Sequence, residues 1–321
     1  MNHPLLKVTD LRVNFGAQAA VRDMNFELFA GETLGIVGES GSGKSTLARA
    51  ILRLLRSAQG SVEFGGLDLV SCTASQLRPH RRDLQIVFQD PQASLNPRMT
   101  VGEALAEPLK IFEPGLKPLE QQQRIGAILE RVGLAAAMAA RYPHEFSGGQ
   151  CQRIGIARAM ILKPKLLVCD EPVSSLDVSI QGQIINLLLD LQRDTAMAML
   201  FISHNLAVVR QLSHRVLVMY AGRPVELGAR DSLFAAPLHP YTQALLSAAR
   251  SALPSALRTA ASSEIPAAAD PESAGCAFRG RCPIALPICA SRVPPLSEVS
   301  PGHWAACHRS HEGIIPLSFP A

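Results

Sequence analysis

The sequence predicts an α/β protein in which helices cover a parallel β-sheet. Near residue 40, the strand-like run TLGIV leads into a glycine-rich loop and then the helix-like run STLARAILRLL. One face of that helical run carries four aliphatic side chains: Leu47, Ile51, Leu54 and Leu55. Further on, the buried-strand patterns LLVCD and AMLFIS flank the amphipathic helical pattern IQGQIINLLLDL. Such alternation of strands and helices is typical of parallel sheets.

The remaining segments indicate how the chain is organised. The start, LLKVTDLRVNF, alternates apolar and polar residues like an edge strand and predicts a β-rich N-terminal part. The stretch from about 90 to 164 is mostly helical by pattern, and from about residue 250 an Ala-, Pro- and Ser-rich segment predicts a flexible connection. We therefore expect a folded domain over 1–250, with a helical subdomain at about 90–164, and a linker with a C-terminal extension over 251–321.

Composition excludes several classes of protein. The 321 residues are 47% hydrophobic and 18% charged, which is typical of a globular chain rather than a disordered one. A net charge of +4 is too small to indicate a nucleic-acid surface. The first residues lack a secretory signal pattern, and no run approaches the roughly 20 apolar residues of a membrane helix. We expect a cytosolic chain whose membrane association, if any, is peripheral.

A phosphate-binding loop is the strongest motif. The run GESGSGKS from Gly38 to Ser45 matches G-x-x-x-x-G-K-[ST] and lies between a strand and a helix, as that motif requires. Backbone N–H groups of such a loop surround phosphate oxygens, Lys44 adds charge at the β and γ phosphates, and Ser45 can ligate Mg²⁺. The bland alternative is a glycine-rich turn that only joins strand to helix. The candidate nucleotide-binding residues are Gly38, Glu39, Ser40, Gly41, Ser42, Gly43, Lys44, Ser45 and Thr46.

Two acidic residues follow a predicted buried strand. The run LLVCDE places Asp170 and Glu171 at a strand C-terminus, where open α/β sheets hold ligands. We predict that Asp170 holds Mg²⁺, directly or through water, and that Glu171 polarises the attacking water. The alternative is a pair of capping residues before the next helix.

The run FSGGQ indicates a second helix N-terminus that could bind an anion. Ser147, Gly148, Gly149 and Gln150 precede the helical pattern CQRIGIARAMIL and present hydroxyl and backbone donors there. One ATP molecule does not need two such sites. Taken alone, this run is equally an ordinary capped turn.

In combination these motifs resemble the ATP-binding subunits of ABC transporters, over about residues 5 to 250. The resemblance implies the ABC cassette form of the P-loop NTPase fold, with a β-rich N-terminal subdomain, a parallel-sheet core and a helical signature subdomain. It also implies that FSGGQ is the signature motif, which faces the phosphate loop of a partner subunit. Two ATP molecules would then lie between two chains.

The resemblance assigns roles to four further residues. It implies that Gln89 touches Mg²⁺ and the attacking water and bridges to membrane subunits, and that His204 contacts the γ-phosphate. Asp177, in SSLD, would communicate across the dimer, and Phe15 would stack on adenine. Without the resemblance, Gln89 and His204 are ordinary polar residues at strand ends and Phe15 is a core residue.

Three segments resemble the ATPases of oligopeptide and dipeptide permeases, a subfamily that also serves nickel and glutathione importers. They are FQDPQASLNPRMTV, GARDSLFAAPLHPYTQALL with its HPYT element at His239–Thr242, and the Cys-bearing tail. The implied function is ATP hydrolysis that drives import of oligopeptides or dipeptides from the cytoplasmic face of the inner membrane. The implied partners are a second ATPase subunit, usually a different chain, two transmembrane permease subunits and, indirectly, a solute-binding protein, with no nucleic acid.

A second functional class uses the same ATPase outside transport. Soluble ABC ATPases act in repair, translation or cluster assembly. Translation-type members usually fuse two cassettes, and repair-type members carry long coiled-coil or zinc inserts. Neither feature is present in this sequence, so the transport hypothesis is favoured.

Four cysteines gather near the C-terminus: Cys276, Cys282, Cys289 and Cys307. They lie in a short Pro-rich segment that is too small to build its own core, and a bound metal would supply the missing folding energy. The subfamily resemblance implies a [4Fe-4S] cluster, which four thiolates suit. Zinc, with His303 or His308 in place of one thiol, and thiols without a metal both remain open.

Overall fold

The structure is a computed structural model that describes residues 3–16, 18–55, 58–251 and 274–310. Its strands, in chain order, are β1 (Leu6–Phe15), β2 (Gln18–Leu28), β3 (Thr33–Val37), β4 (Ala58–Phe64), β5 (Leu67–Asp68), β6 (Leu84–Val87), β7 (Leu166–Asp170), β8 (Ala198–Ile202), β9 (Arg215–Tyr220), β10 (Arg223–Ala229), β11 (Ser297–Ser300) and β12 (His303–Ala305). Its α-helices are α1 (Lys44–Ile51), α2 (Ala74–His80), α3 (Val101–Phe112), α4 (Pro118–Arg131), α5 (Gly148–Met160), α6 (Val178–Thr195), α7 (Leu206–Leu212), α8 (Arg230–Ala235) and α9 (Pro240–Ser251).

One compact unit is built mainly from Phe64–Ile202. Within it β7 pairs in parallel with β6 on one side and with β8 on the other. Every residue of β7 and β8 is buried, as expected for parallel strands that are covered on both faces. Because the three strands run the same way, the segments that follow Val87, Asp170 and Ile202 start from one edge of the sheet.

The helices between β6 and β7 begin at well-defined caps. At the start of α3, the side chain of Thr100 accepts from the Glu103 backbone and the Glu103 carboxylate accepts from the Thr100 backbone. Ser147 and Gln150 form the same reciprocal pair at the start of α5. The stretch from about 90 to 164, which the sequence predicts to be mostly helical, thus contains the three α-helices α3, α4 and α5.

The other unit contains Lys7–Glu27, Thr33–Glu63 and the described residues after Ile202. In it β3 pairs in parallel with β9, and β9, β10, β12 and β11 follow as antiparallel neighbours. In a separate sheet, β1 lies between β2 and β4. Since β12 pairs with β10 through Glu226 and Ala305, backbone hydrogen bonds join the C-terminal extension to the sheet. The composition of the tail does not indicate this attachment.

The helix after the phosphate loop is shorter than the sequence predicts. Helix α1 ends at Ile51, so Leu54 and Leu55 are not on its face, and 46% of Leu54 is exposed. Arg53 adopts a left-handed φ of 49°. The Leu54 N–H then donates to Arg49 C=O, and the Arg53 N–H donates to Ala50 C=O. This Schellman closure stops the helix without a glycine, which is why the sequence pattern does not reveal it.

Two further predictions concern chain segments rather than packed elements. Within the described residues, no helix combines the length and apolar character needed to cross a membrane. The predicted flexible connection falls almost wholly on residues 252–273, which lie outside the described residues.

Candidate functional site

The phosphate loop runs from β3 into α1, as predicted. Gly38 is required because a Cβ there would lie 2.3 Å from the Met219 carbonyl oxygen. Gly43 has a φ of 95°, and a Cβ there would lie 2.3 Å from the Ala20 carbonyl oxygen. Both positions therefore exclude any residue with a side chain. Ser45 and Thr46 occupy the first turn of α1, and Ser40 and Gly41 are exposed at the tip of the loop.

The Lys44 side chain is buried within the phosphate loop to which it belongs. Its Nζ donates to the carbonyl oxygens of Gly38 and Glu39, each at 2.8 Å, and 4% of the residue is exposed. A buried ammonium is stable only where polar groups replace its water. The Gly38 and Glu39 carbonyls supply that environment.

The acidic pair lies at the end of β7, as the sequence predicts. Asp170 is the last strand residue and is 2% exposed. The Glu171 N–H donates to Ile202 C=O at 3.0 Å, and Glu171 has a left-handed φ of 48°. A non-glycine residue in this region is strained, a condition that often marks functional positions. Gln89 is exposed and lies two residues beyond the end of β6. Because β6 and β7 are parallel, Gln89, Asp170 and Glu171 all lie at the C-terminal ends of the strands in this unit.

The FSGGQ segment forms the exposed N-terminus of α5. Ser147 Oγ accepts from the Gln150 N–H at 3.3 Å, and Gln150 Oε1 accepts from the Ser147 N–H at 3.0 Å. A Cβ on Gly149 would lie 2.7 Å from Ile180 Cγ2, so the first turns of α5 and α6 are in close contact. Asp177 is the N-cap residue of α6 and is exposed, which places it beside the FSGGQ segment.

His204 and Phe15 belong to the unit that contains the phosphate loop. The Ser203 N–H donates to the Ile36 carbonyl at 3.2 Å, so His204 begins beside the end of β3, and its side chain is exposed. Phe15 ends β1 and is 51% exposed, which argues against the core alternative. Gln89, Asp170, Glu171, Asp177 and the FSGGQ segment belong to the other unit.

The four C-terminal cysteines line one small cavity of about 20 Å³. Burial, with the other three thiols contributing, raises the pKa of Cys282 to about 11. Burial also raises the pKa of Cys276, where Cys289 and Cys307 contribute. Among the described residues, however, no three His, Cys, Asp or Glu side chains converge closely enough to hold a single metal ion.

A buried polar network around the HPYT element is absent from the sequence predictions. Glu226 is fully buried and accepts from the backbone N–H groups of Leu238 and His239, at 2.9 Å each. His303 Nε2 lies 2.8 Å from the Glu226 carboxylate, so His303 has a partner other than a metal. Burial lowers the pKa of His239 to about 4. The HPYT element was the available sequence signal, but from sequence it indicates only the subfamily resemblance and not a buried network.

Two family models match the chain. One, described as ABC transporter, covers residues 21–174, and the other, described as Oligopeptide/dipeptide transporter, C-terminal region, covers residues 225–289. The first spans the phosphate loop, the FSGGQ segment and the acidic pair. The second spans the HPYT element and three of the four clustered cysteines.

Curated relatives match over nearly the whole chain. The oligopeptide transport ATP-binding protein OppF of Salmonella typhimurium is 50% identical over 320 residues, covering 94% of this chain and 95% of that protein. The probable peptide ABC transporter ATP-binding protein y4tS of Sinorhizobium fredii is 49% identical, covering 96% of this chain and 90% of that protein.

Solved structures share the fold at lower identity. CbiO1 from Clostridium perfringens, part of the ABC transporter complex CbiONQ, aligns with a TM-score of 0.66 and 27% identity, covering 72% of this chain and 91% of that chain. A dimeric post-hydrolysis state of the ATP-binding cassette MJ0796, bound to ADP and Pi, gives a TM-score of 0.65 and 27% identity, covering 70% and 98%.

Proposed function

Since this chain belongs to the family of ABC transporter ATP-binding proteins that carry the oligopeptide/dipeptide transporter C-terminal region, we propose that it powers oligopeptide or dipeptide import at the cytoplasmic face of the inner membrane. The chain is an ATPase of the ABC class, as its family and the expected cassette fold require. The near-complete coverage of relatives whose names include oligopeptide or peptide transport supports this substrate class.

The burial of Lys44 within a loop of carbonyls is the observation that carries the ATPase mechanism. This loop binds the β and γ phosphates, with Ser45, Asp170 and Gln89 as candidate ligands for Mg²⁺. Glu171 orients the attacking water as general base, and His204 contacts the γ-phosphate. The backbone of Glu171 is held at the end of β7, where its N–H donates to Ile202 C=O at 3.0 Å.

A second ATPase chain completes each nucleotide site in this proposal. The N-terminus of α5 is exposed at Ser147 and Gly148, so its backbone donors can reach a phosphate on another molecule. Asp177 lies beside that turn and is also exposed. The exposure of the FSGGQ segment and of Asp177 agrees with a dimer of ATPase chains. In such a dimer, the FSGGQ segment of each chain completes the nucleotide site of the other chain.

The permease subunits are the partners we assign to a groove in the unit that contains β6 and α5. The groove has a volume of about 340 Å³ and begins beside Gln89, which follows Phe88 in sequence. Its rim includes Phe88 and Ile111, whose exposed fractions are 40% and 52%. Gln152 lines the groove with a buried side-chain amide nitrogen that has no hydrogen-bond partner among the described residues. The exposed apolar side chains at the rim suit an apolar segment of a partner protein.

We propose that the four cysteines, which line one cavity, hold an iron-sulfur cluster, because four thiolates are a usual ligand set for such a cluster. Zinc, which thiolates also bind, is the alternative that metal analysis distinguishes. Cys276, Cys282, Cys289 and Cys307 would hold the cluster, and it would supply a covalent cross-link and one-electron chemistry.

Metal analysis tests the cluster separately from transport. Anaerobically purified full-length protein should contain iron and acid-labile sulfide, and the Cys282→Ser variant should lose both. A sample with about one zinc and no sulfide would replace the cluster with zinc. A sample with neither element would leave four metal-free thiols.

Reconstitution tests the transport function. The full complex, with its permease subunits, second ATPase and solute-binding protein, should take up labelled peptide into vesicles only with MgATP. The Glu171→Gln variant should bind ATP but hydrolyse it at least about 100-fold more slowly. Uptake of Ni²⁺ or glutathione in place of peptide would change the substrate class. Unchanged hydrolysis by Glu171→Gln would contradict the catalytic assignment.

A further inference from the structure

Glu39, the second residue of the phosphate loop, makes hydrogen bonds through its carbonyl oxygen, its backbone N–H and its carboxylate. Its carbonyl oxygen accepts from Lys44 Nζ at 2.8 Å and from the Ser42 N–H at 3.1 Å. Its backbone N–H donates to the Tyr241 hydroxyl at 2.8 Å. Its carboxylate oxygens Oε1 and Oε2 accept hydrogen bonds from Arg281 Nη2 at 2.8 Å and Arg281 Nη1 at 3.0 Å. The last two partners come from the HPYT element and from the C-terminal extension, which lie far along the chain from the loop.

The Arg281 contact is a partly buried, bidentate ion pair. The Arg281 side chain is 9% exposed, whereas the Glu39 side chain is 36% exposed. The guanidinium carbon lies 5.5 Å from the centre of the Phe278 ring and 5.7 Å from that of Tyr220. The guanidinium also donates to the Tyr220 hydroxyl at 3.4 Å, so three hydrogen bonds and two aromatic rings restrict its position. The Glu39 carboxylate, which is hydrogen-bonded to this guanidinium, is therefore also restricted in position.

The HPYT element supplies the second support. Glu226 fixes the backbone of His239, and His239 Nδ1 accepts from the Tyr241 N–H at 3.0 Å. The Tyr241 ring is fully buried and packs against Tyr220 and Phe278, with ring centres 4.6 and 5.5 Å apart. The rings that contact Tyr241 thus also flank Arg281. The two supports of Glu39 form one packed group.

We propose that Arg281 is a positioning residue for ATP, acting through Glu39 to hold the phosphate loop and to neutralise a carboxylate beside the bound triphosphate. The inference rests on the proposed assignment of the phosphate loop. Because Lys44 is bonded to the Glu39 carbonyl, a shift of Glu39 also moves the cation that meets the phosphates. Without the guanidinium, the Glu39 carboxylate stands uncompensated in an anion-binding loop and repels the triphosphate. The C-terminal extension is therefore part of the nucleotide site.

This electrostatic role predicts a particular order of affinities. Arg281→Gln should weaken MgATP binding by roughly 3- to 30-fold, because it leaves the Glu39 charge unpaired. Glu39→Gln removes the repelling charge and should weaken binding less. The double variant should bind MgATP more tightly than Arg281→Gln alone. A residue that only stabilised the fold would not produce this recovery, since removing a second contact would then add to the damage.

The experiment measures the MgATP dissociation constant of the purified full-length chain by calorimetric titration, with thermal unfolding to confirm that each variant is folded. Arg279→Gln is the matched control, because the Arg279 guanidinium contacts the Ala290 carbonyl within the extension at 2.7 Å. It should leave the dissociation constant unchanged, and Arg281→Lys should restore part of the lost affinity.

Three results separate the inference from the function on which it rests. If the natural chain does not bind MgATP, the proposed phosphate loop itself is wrong. If the natural chain binds MgATP and Arg281→Gln binds equally well, the positioning role is wrong. If the double variant binds as weakly as Arg281→Gln or more weakly, charge neutralisation through Glu39 is wrong.

Discussion

The Tyr241 hydroxyl accepts the backbone N–H of Glu39 at 2.8 Å, across 202 positions of sequence. The bond connects the HPYT element to the phosphate loop and leads to a conservative test. Tyr241→Phe keeps the ring packed against Tyr220 and Phe278 but leaves the Glu39 N–H without that acceptor. We expect the free energy of unfolding to fall by about 1 kcal/mol and MgATP affinity to fall several-fold.

Urea unfolding and MgATP titration measure the two effects of Tyr241→Phe. Tyr142→Phe is the control, because Tyr142 is 42% exposed and lies in the other unit. It should change neither quantity. A Tyr241→Phe variant with the natural stability and affinity would show that the hydroxyl contributes nothing to the loop.

His239 predicts a dependence of stability on pH. Its pKa in the folded chain, about 4, lies below the usual 6.5 because the ring is buried. As the pH falls below about 6.5, the His239 ring becomes protonated in the unfolded chain, whereas in the folded chain it stays neutral until about pH 4. The free energy of unfolding is therefore unaffected by His239 above pH 6.5 and is lowered by about 3 kcal/mol at pH 4.

Urea unfolding at several values between pH 7 and pH 4.5 checks this dependence. His239→Asn keeps an acceptor for the Tyr241 N–H but does not titrate, so it should flatten the loss of stability. The exposed His144→Asn variant should keep the natural slope. Equal slopes for the natural chain and His239→Asn would assign the acid sensitivity to other groups.

Gly149 and Gly155 lie on the same helix, α5, and should respond oppositely to alanine. A Cβ on Gly149 meets Ile180 Cγ2 at 2.7 Å, whereas a Cβ on Gly155 meets nothing within 4 Å. Gly149→Ala should therefore destabilise by about 1–3 kcal/mol through overpacking. Gly155→Ala should stabilise by up to about 1 kcal/mol through helix propensity. Urea unfolding of the purified chain compares them, and equal effects would mean that α5 and α6 adjust freely.

Gln152 and Gln85 line the same groove but differ in hydrogen bonding. The Gln85 side chain donates to the Arg81 carbonyl at 2.7 Å, whereas the Gln152 amide nitrogen has no partner among the described residues. Gln152→Leu should leave the free energy of unfolding unchanged or raise it by about 1 kcal/mol, and Gln85→Leu should lower it by a similar amount.

An Ile111→Ser variant tests the groove as the permease contact. Because Ile111 is 52% exposed at the rim, its replacement should weaken assembly of the complex while the isolated chain keeps nearly its natural stability. Co-purification of the permease subunits with the tagged variant measures this. Normal assembly with Ile111→Ser would remove Ile111 from the proposed contact.

Short-range sequence patterns predicted much of this molecule correctly. The α/β class and the family resemblance are confirmed, and the strand patterns LLVCD and AMLFIS match Leu166–Asp170 and Ala198–Ile202. Strands and phosphate loops are recognisable because their residue types are set by local geometry. The end of α1 was missed for the same reason. Arg53 in the left-handed conformation leaves no mark in residue type.

The sequence by itself determined which residues could do chemistry, because glycine spacing, a loop lysine and strand-end acids are local requirements of phosphate binding. Only the tertiary structure decided that Phe15 is exposed and that Glu39 and Arg281, 242 positions apart, form an ion pair. A pairing of that kind depends on how β10, β12 and the extension pack. Residue spacing and composition reflect local geometry, so they do not predict contacts between such distant parts of the chain.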